Sequence, residues 1–193
     1  MVQRSSSRTY ALVFLVGLVA GAIAIAVSLA LRTFSGAIFI PELASQTLFS
    51  ITPGEIESQA VETLGPIAKY SAIIGALIVN LVVYGILSLF DYKIYMKINS
   101  GNSYLRAASY LRTAAISSGI SYVVILIISF VLLAVADIEI QSLSIQTIVI
   151  HLIPPQIAFG FASAFFLEIF NQELQKSHLE KQWVLWKQQC HQE

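Results

Sequence analysis

Apolar positions fall into four long runs, Tyr10–Leu31, Ala68–Phe90, Ala114–Ala136 and Thr147–Phe170, separated by charged or turn-forming residues. A helix needs about 20 residues to cross a hydrocarbon core of about 30 Å, so each run predicts a transmembrane helix. Shorter patterns between the first two runs predict two more helices. Pro41 suits the first turn of a helix through about Phe49. Thr52, Pro53 and Glu55 then read as cap, N1 and N3 of a capping box. That second helix should run to Leu64, with Gly65 ending it and Pro66 opening the next span. Ile56, Ala60, Val61 and Leu64 share one of its faces, so the pair is expected to lie on the outer membrane interface. It serves there as a lid over the bundle or as a docking surface, with Leu48 and Ile56 as apolar anchors and Glu55 and Glu57 as a polar rim. Beyond Phe170 the chain turns polar, yet Leu179, Trp183, Trp186 and Cys190 keep helical spacing. The expected fold is all-α: one four-span membrane domain over residues 1–170, two short outer interfacial helices, and an amphipathic C-terminal helix over 171–193.

Composition agrees, with a mean hydropathy of +0.76 and 11% charged residues. The segments outside the runs are too short to bury cores of their own. A net charge of zero argues against a nucleic-acid surface, and a single cysteine, Cys190, excludes an internal disulfide framework and any paired-cysteine redox or zinc motif. The first run is about twice the usual length of a signal-peptide core, so it is expected to stay as a span. Charge placement is more informative than charge total. Arg4, Arg8, Lys93, Lys97, Arg106, Arg112, Lys176, Lys181 and Lys187 would share one side, against only Arg32 and Lys69 on the other. The positive-inside rule then puts both termini in the cytoplasm, with the chain in the plasma membrane. Reporter fusions after Ser100 and Glu193 are accordingly expected to be active only as cytoplasmic reporters, and a fusion at Thr52 only as an external one. Labelling of Cys190 by an impermeant thiol reagent in sealed cells would reverse the orientation.

Within the runs, small and polar residues mark where helices approach. Gly17 with Gly21, and Gly160 with Ala164, have the four-residue spacing that lets backbones pack closely in lipid, within one chain or between two. Asn80, near the middle of the second run, needs a hydrogen-bonding partner on a neighbouring helix. Ser117, Ser118 and Ser121 can bond back to their own helix. Pro154 and Pro155 should kink or break the fourth span just after His151 and before Gln156. The connection from Asp91 to Arg112 alternates tyrosines with cations and reads as an interfacial helical hairpin turning at Asn99–Asn102.

No catalytic set is legible. Intramembrane ionisable residues are the default functional signal in a bilayer protein, and the four runs hold only His151 and, near an end, Glu168. Bis-histidine haem ligation needs a second histidine in the bundle, whereas His178 and His191 belong to the tail. Phosphate-binding glycine loops and HExxH are absent. The expectation is a chain without catalytic, cofactor or metal residues. His151 would serve as an interfacial hydrogen-bonding residue or as a contact to a bound quinone or partner cofactor.

One ordered set of short motifs has a family likeness: Gly17-Leu18-Val19-Ala20-Gly21, Leu31-Arg32, Pro41-Glu42-Leu43, Val61-Glu62-Thr63-Leu64-Gly65 and Ala68-Lys69. Over about residues 10–90 the chain resembles the N-terminal membrane region of prokaryotic molybdopterin-dependent oxidoreductases of the sulfite-oxidase type. In that family a few spans with a Pro-Glu-Leu outer connection precede an external molybdenum-cofactor domain. Such a domain is not found after residue 90 here, and no catalytic residue carries over. The resemblance implies a membrane anchor or accessory subunit, embedded in the lipid bilayer, that holds a molybdenum-cofactor oxidoreductase subunit at the outer face. The alternative is a small transporter or permease component whose path, lined by Asn80, His151 and Gln156, opens at a broken fourth span.

Overall fold

The computed structural model describes residues 6–65, 67–99, 106–135 and 145–190. They form six helices: α1 (Ser6–Ser35), α2 (Ile40–Ile51), α3 (Gly54–Leu64), α4 (Ile67–Asn99), α5 (Arg106–Val135) and α6 (Ile145–Cys190). No strand occurs among the described residues. Four helices are long and apolar enough to cross a membrane, over Thr9–Ser35, Tyr70–Lys97, Tyr110–Val135 and Gln146–Glu173. The chain is a multi-pass helical membrane protein. The bundle end richer in Lys and Arg is its inner end and the opposite one its outer end, as labels of the two ends only.

The helices overrun the apolar runs. Hydropathy falls at Asp91, but a charged residue does not end the i to i−4 backbone ladder, so α4 continues two turns further to Asn99. The two arms of the expected helical hairpin are the ends of α4 and α5, and residues 100–102 of its turn lie outside the described residues. The same holds at residue 170. No glycine or proline follows there, and α6 runs unbroken from the fourth span to Cys190. The side chains of Leu179, Trp183, Trp186 and Cys190 lie outside the described residues.

Pro154 and Pro155 sit inside α6 without interrupting it, so of the expected kink or break the break does not occur. Each proline costs one donor, leaving the carbonyls of Ile150 and His151 without their helical partners. The proline φ is itself helical, and fully buried Leu152 and Phe159 anchor the helix on either side.

The four spans run alternately up and down. Ser88 of α4 meets Val13 of α1, Ser163 of α6 meets Asp91 of α4, and Gly160 of α6 meets Ser118 of α5. α1 packs between α4 and α6, and α5 lies against α6. Gly17 and Gly21 turn inward onto α4. A Cβ at Gly17 would fall 2.5 Å from the Ser88 Cβ, and one at Gly21 2.6 Å from the Tyr84 Cβ. Ala164 is buried one turn beyond Gly160. Lipid-facing positions such as Val19, Ile78, Val79, Ile127 and Phe161 remain exposed and apolar. These helices are apolar on the outside and partly polar within, as expected where lipid removes the hydrophobic drive between helices.

At the outer end, Gly36 adopts φ +66, and the N–H groups of Gly36 and Ala37 bond back to Arg32 and Leu31. The chain reverses into α2, whose Ile40, Pro41, Leu43, Ser45 and Thr47 are buried. The Thr47 hydroxyl donates to Leu132 of α5 at 3.2 Å. Arg32, in the last turn of α1, forms a two-point ion pair with Glu42 in the first turn of α2, at 3.0 and 3.2 Å. Both charges suit their helix ends. The expected capping box does not form. α3 starts at Gly54, and the Thr52 hydroxyl is spent on Leu48 of the preceding helix at 2.6 Å. Gly65, with φ +54, closes α3 where expected.

Candidate functional site

Tyr84, Ser88, Asp91 and Tyr95 follow one another on α4 at spacings of four, three and four, which aligns them on one helix face. That face looks into the bundle, and each of the four is at most 2% exposed. The stripe begins near mid-span and descends toward the inner end. Tyr84 exchanges hydrogen bonds with the Gln156 amide at 3.0 and 3.3 Å, and its ring packs on Phe159 with centroids 4.7 Å apart. Ser88 donates to the Val13 carbonyl at 3.0 Å.

Asp91 lies seven residues below Tyr84, about 10 Å of helix rise. Its Oδ2 accepts from Ser117 of α5 at 2.5 Å and from Ser163 of α6 at 3.2 Å, so three helices meet at this carboxyl. One turn further, Tyr95 donates to Glu168 of α6 at 2.5 Å and accepts from Asn171 at 3.3 Å. Gln172 donates to the other Glu168 oxygen at 3.1 Å. Among the described side chains, which do not include those of Arg8, Arg106 and Lys176, no Lys, Arg or His pairs with either carboxyl, and the ion pair Arg32–Glu42 is at the outer end. No group of three or more His, Cys, Asp and Glu that could hold a metal occurs among them.

This axis was not legible as a site. The second run ends at Phe90 because Asp91 is charged, which assigned Asp91, Tyr92 and Tyr95 to the headgroup layer. The structure instead buries Asp91 and Tyr95 in the bundle. The view that the spans hold no ionisable residue beyond His151 and Glu168 is corrected accordingly. The usable signal was the 84–88–91–95 spacing, which only counts once α4 is known to continue past Phe90.

The residues expected to be functional are not gathered together. Gln156 is buried and committed to Tyr84. Asn80 is half-buried and has no hydrogen bond among the described residues. His151 is half-buried, with its Nδ1 buried and without a partner among them. On the outer face Leu48 is 51% exposed and Glu55 is exposed, while the side chains of Ile56 and Glu57 lie outside the described residues. An open cleft of about 310 Å³ is lined by Arg32 and Glu42 together with residues that include Phe39, Leu43, Gln46 and Leu133.

Fold and site together define a four-span helical membrane protein with a polar axis through the inner half of its bundle. No family model, curated protein or solved structure matches the chain.

Proposed function

We propose that the chain is an integral membrane accessory subunit that anchors an extracytoplasmic partner. The observation that supports this most directly is the two-sided build of α2. One side is fastened to the bundle through Leu43, Thr47 and the Arg32–Glu42 pair, while Leu48 and Ile51 on the other side stay exposed. Next to them α3 displays Glu55, Ser58, Gln59, Glu62 and Thr63. A rigidly mounted surface with apolar anchors beside carboxylates suits a partner with a basic rim. The nature of that partner, a molybdenum-cofactor oxidoreductase subunit, follows from the resemblance over residues 10–90 and is proposed on that ground.

An apolar anchor at the centre of an interface carries much of its energy, so Leu48→Asp is expected to weaken association by about 2 kcal/mol or more. The bundle should stay folded, because Leu48 is not among its buried residues. The check is affinity purification from the native membrane in mild detergent, with identification of co-purifying chains and metal analysis. A molybdenum protein recovered with the wild type and lost with Leu48→Asp supports the anchor. A chain that purifies alone and moves a solute in vesicles ends it.

A second reading, a small transporter component, draws on a different observation. A buried carboxyl in a transmembrane bundle is the usual mark of an ion or substrate path. With α6 continuous through its prolines, that path would follow the Asp91 axis instead of a break at Pro154.

A further inference from the structure

Asp91 is the only carboxyl among the described side chains that lies within a candidate span and is almost fully buried. It receives two hydroxyl donors and no cationic partner among them. Hydroxyl groups orient a carboxylate but do not neutralise it, and an uncompensated charge in an apolar bundle is strongly disfavoured. One carboxyl calls for one positive charge. The ligands on hand are all hard oxygens, contributed singly by α4, α5 and α6. We propose that Asp91, Ser117 and Ser163 form an intramembrane site for one monovalent cation, a proton or a sodium ion, reached from the inner end past Tyr95 and Glu168.

Two further observations fit this chemistry. Thr113, one turn from Ser117 on α5, is 1% exposed, and its hydroxyl has no partner among the described residues. It therefore offers a spare oxygen on the same helix face. The Tyr95–Glu168–Asn171 rung follows Asp91 by one turn toward the inner end, where Glu168 is only half-buried. That rung joins the buried carboxyl to the polar end of the bundle. A divalent ion would leave an uncompensated charge, because the second carboxyl is a turn away and already bound to Tyr95.

Among the described side chains, the titratable groups near the site are few. α4 presents Tyr84 and Tyr95 on the same stripe, and α6 presents Glu168. α5 faces it with hydroxyls, its Arg112 being exposed. α1 faces it with Val13, while Tyr10 packs outside on Tyr92 at 6.4 Å. A pH response that Asp91→Asn abolishes can therefore be assigned to Asp91. The proposal does not depend on the outer-face docking reading, and its test measures no partner.

The test treats the full-length protein in lipid nanodiscs with dicyclohexylcarbodiimide, an apolar reagent that adds to a protonated carboxylic acid, and maps the adduct by peptide mass spectrometry. An adduct at Asp91, absent in Asp91→Asn, is expected. If the ion is a proton, raising the pH past the titration should lower labelling about tenfold per unit, as a single acid's protonated fraction does, and sodium chloride should act no differently from choline chloride. If it is sodium, sodium chloride should protect at fixed pH where choline chloride does not. In either case Ser163→Ala, which removes one oxygen, should shift the midpoint for the ion that acts. Infrared difference spectra on changing pH or sodium should contain a carboxyl band that Asp91→Asn removes. Labelling indifferent to both pH and sodium overturns the proposal. So does the absence of any adduct when the Asp91 carboxyl band is also missing from the difference spectra. If Asp91→Asn does not fold, the midpoint shift in Ser163→Ala decides the matter, and an unchanged midpoint counts against the site.

Discussion

Gly160→Ala is expected to separate α6 from α5 and to be among the most damaging single-methyl changes in the protein. A Cβ at this position would fall 2.6 Å from the Ala114 carbonyl oxygen and 2.7 Å from the Ser118 backbone nitrogen. Backbone atoms cannot rotate away, so one helix must move bodily. Overpacking a filled core costs about 1–3 kcal/mol in general. Recovery is harder here, because lipid solvates the separated helices as well as they solvate each other. Gly119 provides the control, since a Cβ there meets nothing within 4 Å. Gly119→Ala should gain the helix propensity that glycine lacks, about 0.5–1 kcal/mol. Unfolding in mixed micelles by titration with a denaturing detergent should therefore move in opposite directions for the two variants. Equal shifts would mean that α5 and α6 do not cross at Gly160.

The double variant Ser117→Ala/Ser163→Ala is expected to destabilise the bundle by roughly 2–4 kcal/mol, far more than Asp91→Asn. The asymmetry comes from what each change leaves behind. Removing both hydroxyls strips every donor that Asp91 has among the described residues and leaves its carboxyl buried. The acceptor then bears the full cost of its desolvation. Asp91→Asn keeps the shape and retains an oxygen for the serines while discarding the ionisable group, so its cost should stay below about 1 kcal/mol. Single serine variants should fall between, and a double-mutant cycle should show them to be coupled through their shared acceptor. Comparable losses in the double variant and in Asp91→Asn would show that the three groups do not act as one contact. This measurement reads the stability of the hydrogen-bonded cluster and needs no bound ion to be identified.

Much of the architecture was legible because it depends on solvent. Four runs of about 22 apolar residues in a chain with 11% charge have few stable options other than crossing a bilayer. Gly65 as the end of α3 was readable because a left-handed residue after a helix favours glycine. The capping box failed for a local reason: the Thr52 hydroxyl had two possible partners, and the carbonyl of Leu48 one turn back won over the start of α3. Pro154 and Pro155 do not produce a break, for a different reason. Proline propensity describes an isolated helix, whereas here packing at Leu152 and Phe159 holds the segment in place.

The amino-acid sequence by itself determined the solvent of this protein, the number of its spans and the places where backbones could approach, since hydropathy, span length and side-chain size are properties of short segments. Only the tertiary structure decided what Asp91 is. As the first charged residue after an apolar run it reads as an interfacial group. In the bundle it is an interior one, because α4 continues past it and α5 and α6 bring Ser117 and Ser163 to its carboxyl. Those partners lie 26 and 72 residues away along the chain. No local pattern encodes such a meeting, because it depends on the register at which three long helices pack.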